Sequence, residues 1–105
     1  MDNNLNHVFS ALADPTRRAV VERLVAGPAS VSDLFQDHNM AMPTFMKHLS
    51  RLETAGLVTS RKSGRVRTVQ IEAASLQSVQ TWVEKHQILW ETRLDRLAKI
   101  AETKL

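Results

Sequence analysis

The sequence predicts a mainly α-helical domain with one small β-hairpin, and three observations support this fold class. Apolar residues recur every three or four positions along most of the 105-residue chain, which is the spacing of amphipathic helices. Between residues 58 and 71 the spacing changes to alternation around a glycine, which is typical of two strands joined by a turn. No linker or repeat interrupts the pattern, so we expect a single domain spanning residues 1–105.

Two short helices are predicted in the first quarter of the chain. The apolar face of the first helix is Leu5, Val8, Phe9 and Leu12. The pair Asp14-Pro15 is typical of an N-cap followed by a first-turn proline, so it predicts the start of a second helix. Gly27-Pro28 predicts the end of that helix. The apolar stripe of the second helix is Val20, Val21, Leu24 and Val25.

The next two predicted helices are short and close together. Ser30 can cap a third helix through its hydroxyl, and Asp33 places a negative charge in the first turn. A polar turn at residues 38–40 precedes a fourth helix, which we expect to open at Pro43 and to end at Gly56. The inward residues of the pair are Leu34, Phe35, Phe45, Leu49 and Leu52. Two such helices joined by a turn form a helix-turn-helix pattern.

A hairpin and a long helix complete the predicted domain. Strands over 58–63 and 65–71 are joined by a turn at Ser63-Gly64, and the final helix runs from about Ala73 to Thr103. The apolar stripe of this helix is Leu76, Val79, Val83, His86, Trp90, Leu94, Leu97 and Ala101, widened by Trp82, Ile88, Leu89 and Ile100. This order of elements is that of a winged helix-turn-helix domain, in which the hairpin is the wing.

Positive charge is concentrated in one segment of the chain, residues 47–67. Six basic residues and a single acid, Glu53, give this segment a net charge of +5, whereas the whole chain carries +3. The basic residues are Lys47, Arg51, Arg61, Lys62, Arg65 and Arg67. A basic segment in an otherwise slightly acidic chain is the electrostatic footprint expected for a polyanion such as nucleic acid.

The composition excludes several classes of function. The chain has no cysteine, which excludes disulfides, thiolate nucleophiles and cysteine-ligated metals. It also has no tyrosine, no glycine-rich phosphate loop and no cluster of acids with histidine, so we expect no enzymatic activity. No apolar run approaches the ~20 residues of a membrane helix, and the N-terminus lacks the features of a secretory signal. We therefore expect a cytoplasmic protein that does not bind membranes.

Three motifs resemble those of a known family. Residues 11–18 (Ala-Leu-Ala-Asp-Pro-Thr-Arg-Arg) are similar to a signature near the start of ArsR-type transcriptional repressors. Residues 47–49 (Lys-His-Leu), 52–53 (Leu-Glu) and 55–58 (Ala-Gly-Leu-Val) resemble the recognition helix of that family and its exit. The last helix resembles a metal-independent branch through Trp82, Trp90, Arg93, Leu94 and Leu97. The resemblance runs from about Val8 to Leu97 and implies a sequence-specific DNA-binding transcriptional regulator that represses as a homodimer.

DNA-contacting residues are expected on the fourth helix and on the wing. Those of the fourth helix, the recognition helix, are Met42, Pro43, Thr44, Lys47, His48, Ser50 and Arg51, and those of the wing are Arg61, Lys62, Arg65 and Arg67. In the major groove Lys47 can reach guanine or phosphate and Thr44 a thymine methyl. Arg65 and Arg67 are expected to share one strand face and to add salt-dependent phosphate contacts. His48 lies beside the buried stripe, which leaves packing or capping open as an alternative.

The first and last helices of the resembled family form a homodimer interface. Its expected residues here are Leu5, Val8, Phe9, Trp82, Leu89, Trp90 and Leu97. The alternative is that both tryptophans only cover the core of their own protomer. A two-fold dimer places two recognition helices about one DNA turn apart, so we expect a near-palindromic operator of double-stranded DNA. A winged-helix module that binds proteins and has weak affinity for DNA remains open as a second function.

No metal and no cofactor are expected. The arsenic-sensing members of the resembled family carry three cysteines in the third helix, where this chain has Ser30, Ser32 and Phe35. Hydroxyl and phenyl groups are poor ligands for soft metals. Residues 84–86 (Glu-Lys-His) match half of a zinc-sensing pair, but no histidine follows His86. Arg17 and Arg18 are expected to have a structural role, as an ion pair or a cap at the second helix, and no motif identifies an effector.

Overall fold

The computed structural model describes residues 3–103, and the terminal residues 1–2 and 104–105 of the predicted domain lie outside this range. Within it the chain forms five helices and three strands. They are α1 (Asn3–Leu12), α2 (Pro15–Val25), β1 (Ala29–Ser30), α3 (Val31–Gln36), α4 (Met42–Thr54), β2 (Val58–Ser63), β3 (Val66–Ile71) and α5 (Ala73–Thr103). This order confirms the predicted fold class and adds the short strand β1.

Side-chain caps start two helices where the sequence predicts them. The Asp14 carboxylate accepts the backbone N–H of Arg17 at 3.0 Å, and Pro15 opens α2. The Ser30 hydroxyl accepts the backbone N–H of Asp33 at 3.0 Å at the start of α3. Each cap satisfies a backbone donor that the helix itself leaves free, a contribution of about 1 kcal/mol.

The C-terminal end of α4 is closed by a glycine. Gly56 has a φ of +75°, and Leu57 donates its backbone N–H to the Leu52 carbonyl at 3.0 Å, which is the Schellman arrangement. The Ser75 hydroxyl, at the start of α5, donates to the Gly56 carbonyl at 2.8 Å. The end of the recognition helix is therefore joined directly to the first turn of the last helix.

Strand β1 was not predicted from the sequence. The sheet has the order β1-β3-β2 with antiparallel neighbours, and Ala29 pairs with Val69. Two residues are too few to show an alternating pattern, and the second of them, Ser30, also serves as the N-cap of α3. The strand fixes the beginning of the helix-turn-helix against the wing.

The wing turn lies one residue further along than expected. Ser63 pairs with Val66, which leaves Gly64 and Arg65 as a two-residue turn. Gly64 has a φ of +61°, as the first central position of a type II′ turn requires. The expectation that Arg65 lies on a strand was therefore wrong, because β3 begins at Val66.

The core lies between α1–α4 and the inner face of the wing. Its buried residues include Val20, Leu24, Leu34, Phe45, Leu49, Leu52, Leu57, Val58 and Val69. Two expectations were wrong at helix ends. Val25 is 71% exposed because it is the last residue of α2, beyond the core. α4 begins at Met42, so that Pro43 is its second residue.

Helix α5 begins against the core and then extends away from it. Leu76 and Val79 pack partly against the core, whereas every residue from Gln80 to Thr103 is exposed. At 31 residues the helix is about 46 Å long, more than the core can cover. No helix within residues 3–103 is both long and apolar enough to cross a membrane.

Candidate nucleic-acid interface

The recognition helix α4 has one buried and one exposed face. Phe45, Leu49 and Leu52 are at most 3% exposed, and they hold the helix against the core. The exposed residues among those predicted to contact DNA are Met42, Pro43, Thr44, Lys47, Ser50 and Arg51. An α-helix with a free polar and cationic face has the dimensions and chemistry to enter the major groove.

His48 does not lie on that exposed face. Its Nδ1 is 3.1 Å from Nη1 of Arg17, and its side chain is only 18% exposed. Because a guanidinium only donates, Nδ1 of His48 is the acceptor in this contact. The structure therefore places His48 in the packing role that the sequence left open, between α4 and the start of α2.

Arg17 has a structural role, but its guanidinium caps the end of α1 rather than the second helix. Its Nε donates to the Ala11 carbonyl at 2.7 Å and its Nη2 to the Ser10 carbonyl at 3.2 Å, so the guanidinium caps the C-terminal end of α1. The neighbouring Arg18 donates to the Leu12 carbonyl at 2.8 Å. One guanidinium, that of Arg17, thus connects α1, α2 and the recognition helix.

Asp14 completes this corner. Burial works against its charge, but the backbone N–H donated by Arg17 and the electrostatic influence of the nearby His48 and Arg17 side chains outweigh burial and lower the pKa of the carboxyl. The Asp14 Oδ2 lies 3.7 Å from the His48 Nδ1, a longer separation than the Arg17 contact. Asp14 therefore acts mainly as the N-cap of α2.

The cations of the wing are divided between its two faces. Lys62 pairs with Arg67 across the hairpin, and both line one cavity of about 390 Å³ together with Arg65. This basic cleft is lined by Ser30, Val31, Ser32, Met46, Lys62, Arg65, Val66 and Arg67. Arg61 lies on the other face of the wing, in a second cavity with Thr68 and Gln70. Arg65 and Arg67 thus reach the same cleft although Arg65 is a turn residue.

Two residues that sequence reasoning missed join α4 to the wing. The Ser60 hydroxyl donates to Oε1 of Glu53 at 2.9 Å and accepts from Nη1 of Arg67 at 3.0 Å. Glu53 was visible in the sequence as the single acid of the basic segment. Its partner depends on how β2 approaches α4, which the sequence does not show.

The predicted dimer surface is largely uncovered in the protomer. Its predicted residues on α5 are Trp82, Leu89, Trp90 and Leu97. They belong to a wider exposed surface, the α5 stripe, which is 42–62% exposed and consists of Trp82, Val83, Ile88, Leu89, Trp90, Leu94, Leu97 and Ile100. Phe9 is 38% exposed and meets Trp82 edge to face at 5.5 Å between ring centroids, and Leu5 is half-buried. Val8 is 0% exposed and belongs to the core of its own protomer, so its place in the predicted interface was wrong. The alternative that both tryptophans only cover that core was also wrong.

The histidine of α5, His86, makes its contacts within its own helix. His86 stacks on Trp82 at 4.2 Å between ring centroids, and its Nδ1 is 2.8 Å from the Trp82 carbonyl oxygen. In the part of the chain that the structure describes, no group of three or more His, Asp or Glu residues is arranged to hold a metal ion.

The helix pair α3–α4 followed by a basic hairpin defines a winged helix-turn-helix domain. A helix-turn-helix domain model matches residues 12–61. The chain belongs to the ArsR family of transcriptional regulators. Its sequence is 49% identical to that of an ArsR family transcriptional regulator, RHA00566, whose crystal structure is known. The match covers 87% of this chain and 94% of that chain, and the two structures superpose with a TM-score of 0.83.

Two curated relatives extend this comparison. The HTH-type transcriptional regulator Rv2034 of Mycobacterium tuberculosis is 35% identical over 98 residues, covering 93% of this chain and 89% of the relative. The transcriptional repressor SdpR of Bacillus subtilis is 28% identical over 79 residues, covering 75% of this chain and 88% of the relative.

Proposed function

We propose that the protein is a homodimeric repressor that binds a near-palindromic operator in double-stranded DNA without using a metal ion. One observation carries this proposal: the recognition helix and the wing border the same basic cleft. Met46 of α4 and Lys62, Arg65 and Arg67 of the wing line it together. When α4 lies in the major groove of a duplex, the sugar-phosphate backbone of that duplex therefore comes close to the wing cations.

The contacts divide into those that read sequence and those that hold the duplex. Lys47 and Thr44, on the exposed face of α4, are the candidates for base edges, with Met42, Pro43 and Ser50 beside them. Arg51, further along the helix, and the wing cations Arg61, Lys62, Arg65 and Arg67 are the candidates for phosphates. His48 acts indirectly, by fixing α4 against Arg17.

The dimer interface is formed by the α5 stripe together with α1. Leu5, Phe9, Trp82, Leu89, Trp90 and Leu97 are the interface residues on this proposal. An apolar surface of this extent, uncovered in a monomer, marks an association site. A two-fold axis through it gives two recognition helices that face successive major grooves, about 34 Å apart.

We infer that metals do not regulate the protein and that it catalyses no reaction. Ser30 stands where a thiolate would be needed, and its hydroxyl is already used as a helix cap. His86 is held by Trp82 and has no second histidine along α5. Repression is then steric, through occupancy of the operator in the cytoplasm, and the relative SdpR is itself named a repressor.

Selection of duplexes from random-sequence DNA tests this proposal. Purified protein should enrich one sequence with two related halves spaced by about one helical turn. Replacing Lys47, Lys62 and Arg65 by alanine together should abolish the enrichment while the protein stays folded and dimeric. If the wild type enriches no sequence, the DNA-binding function is refuted and a protein-binding module becomes the better explanation. If the triple variant still enriches the same sequence, the contacts assigned to Lys47, Lys62 and Arg65 are wrong.

A further inference from the structure

A chain of two hydrogen bonds joins the end of the recognition helix to the wing. Ser60 Oγ donates to Glu53 Oε1, and Arg67 Nη1 donates to Ser60 Oγ, at 2.9 and 3.0 Å. Glu53 lies in the last turn of α4, Ser60 on β2 and Arg67 on β3. The single hydroxyl proton goes to the carboxylate, which makes the oxygen a better acceptor for the guanidinium.

Apolar contacts fix only the base of the wing. Val58 and Val69 are each 1% exposed, whereas residues 61–68 are all exposed. Within residues 3–103, the bond from Ser60 to Glu53 is the one side-chain hydrogen bond between α4 and the wing. Ser60 lies where the wing leaves the core, opposite Val69 in the hairpin register. Backbone pairing with β1 holds β3 as far as Thr68, and the Ser60–Glu53 contact adds the side-chain bond that sets the wing against α4.

The charge of Glu53 is unfavourable for a surface that approaches DNA. It is the single acid of residues 47–67, and its carboxylate repels the phosphates that the neighbouring cations attract. Electrostatics alone therefore predicts that removing this charge strengthens binding to every DNA sequence. A residue that weakens general attraction needs another contribution to binding, and the contact with the wing supplies one.

We propose that Glu53 is a positioning residue that acts through Ser60. It holds Arg67 and the wing at a fixed distance from the recognition helix, so that groove contacts and wing contacts form together on one duplex. The role rests on the proposed DNA-binding function. It predicts that loss of the Glu53 carboxylate weakens binding to the operator even though it removes a repulsive charge.

The test compares three variants on two DNAs. Glu53→Ala and Ser60→Ala each break the hydrogen-bond chain, whereas Glu53→Gln keeps an acceptor oxygen and loses the charge. The DNAs are the duplex selected by the wild-type protein and a duplex of unrelated sequence, at the same salt concentration. Glu53→Ala and Ser60→Ala should weaken binding to the selected duplex about three- to tenfold, the effect of one hydrogen bond. Glu53→Gln should bind it at least as tightly as the wild type.

The same strand offers a matched control. Thr59 Oγ1 donates to Glu72 Oε1 at 3.0 Å, on the opposite face of β2 from Ser60. Thr59→Ala and Glu72→Ala therefore remove a hydroxyl and a carboxylate of the same kind without touching the link to α4. They should leave the preference for the selected duplex unchanged, and circular dichroism should show that all variants are folded.

The outcomes separate the role from the function on which it rests. Tighter binding of Glu53→Ala to both DNAs would show that Glu53 is only a repulsive charge. Equal weakening on both DNAs would indicate general damage to the fold rather than positioning. Either result overturns the role of Glu53 and leaves DNA binding intact, whereas failure of the wild type to enrich any duplex overturns the proposed function itself.

Discussion

Replacing Trp90 by alanine tests the proposed dimer, and the exposure of Trp90 gives the expected loss of association free energy. Trp90 is 59% exposed in the protomer. A tryptophan side chain presents on the order of 250 Å², so about 150 Å² remains to be covered. At about 25 cal/mol per Å² this burial contributes about 4 kcal/mol in each protomer. A two-fold interface contains the residue twice, so truncation acts on both copies.

The dissociation constant of the dimer should rise roughly a thousandfold. The two copies of Trp90 together contribute twice the energy given for one protomer. The thousandfold figure assigns about half of that total to side-chain ordering and to the methyl group that alanine retains. Sedimentation equilibrium over a wide concentration range measures it directly. Val25→Ala is the matched control, because Val25 is 71% exposed on α2 and lies outside the α5 stripe. An unchanged dissociation constant in the Trp90 variant, or a monomeric wild type, would refute the reasoning.

Four further predictions concern DNA, metals and acidity. Lys47→Ala should weaken operator binding by about 1–3 kcal/mol in titrations, with a smaller loss on random duplex, and equal losses would argue against base contact. Lys62→Ala combined with Arg65→Ala should weaken both DNAs alike and lower the salt slope by about one to two per protomer; a fixed slope would exclude phosphate contacts. Zinc and arsenite should not change DNA affinity, and a stoichiometric metal in calorimetry that releases DNA would contradict this. Because the pKa of Asp14 is lowered in the fold, its stabilising charge is lost as the pH falls. Acid unfolding should therefore be steeper below about pH 5 in the wild type than in Asp14→Asn, which retains a good N-cap.

Local chemistry made most of the fold predictable. The caps at Asp14 and Ser30, the glycine after α4 and the change of apolar spacing near residue 58 each depend on a few neighbouring residues. Val8 and Val25 were misplaced for a different reason. Both fit a helical stripe, but which part of a stripe meets the core depends on where other helices end, and the spacing of one helix does not contain that information.

The candidate interface was predictable to the same degree. The buried stripe of α4 identified its exposed face, which the structure reproduces apart from His48. The wing was less predictable, because a shift of the turn by one residue changes which cations lie on a strand. The contacts of Glu53 and Arg17 join residues that are distant in sequence, 7 and 31 positions from their partners Ser60 and His48. No local pattern records such contacts.

The glycine at the end of α4 has a consequence for how the protein can diverge. At a φ of +75° any other residue strains the backbone by about 1–2 kcal/mol, and a Cβ at Gly56 would lie 3.0 Å from the Ser75 hydroxyl. To admit it, the Ser75 hydroxyl must give way by a few tenths of an ångström, which loosens its bond to the Gly56 carbonyl and the junction between α4 and α5. In the proposed dimer α5 contacts the partner subunit and α4 contacts the DNA bases. The junction between α4 and α5 therefore sets the distance between the two half-sites. A substitution here would leave the sequence of each half-site unchanged and would alter the preferred spacer between them.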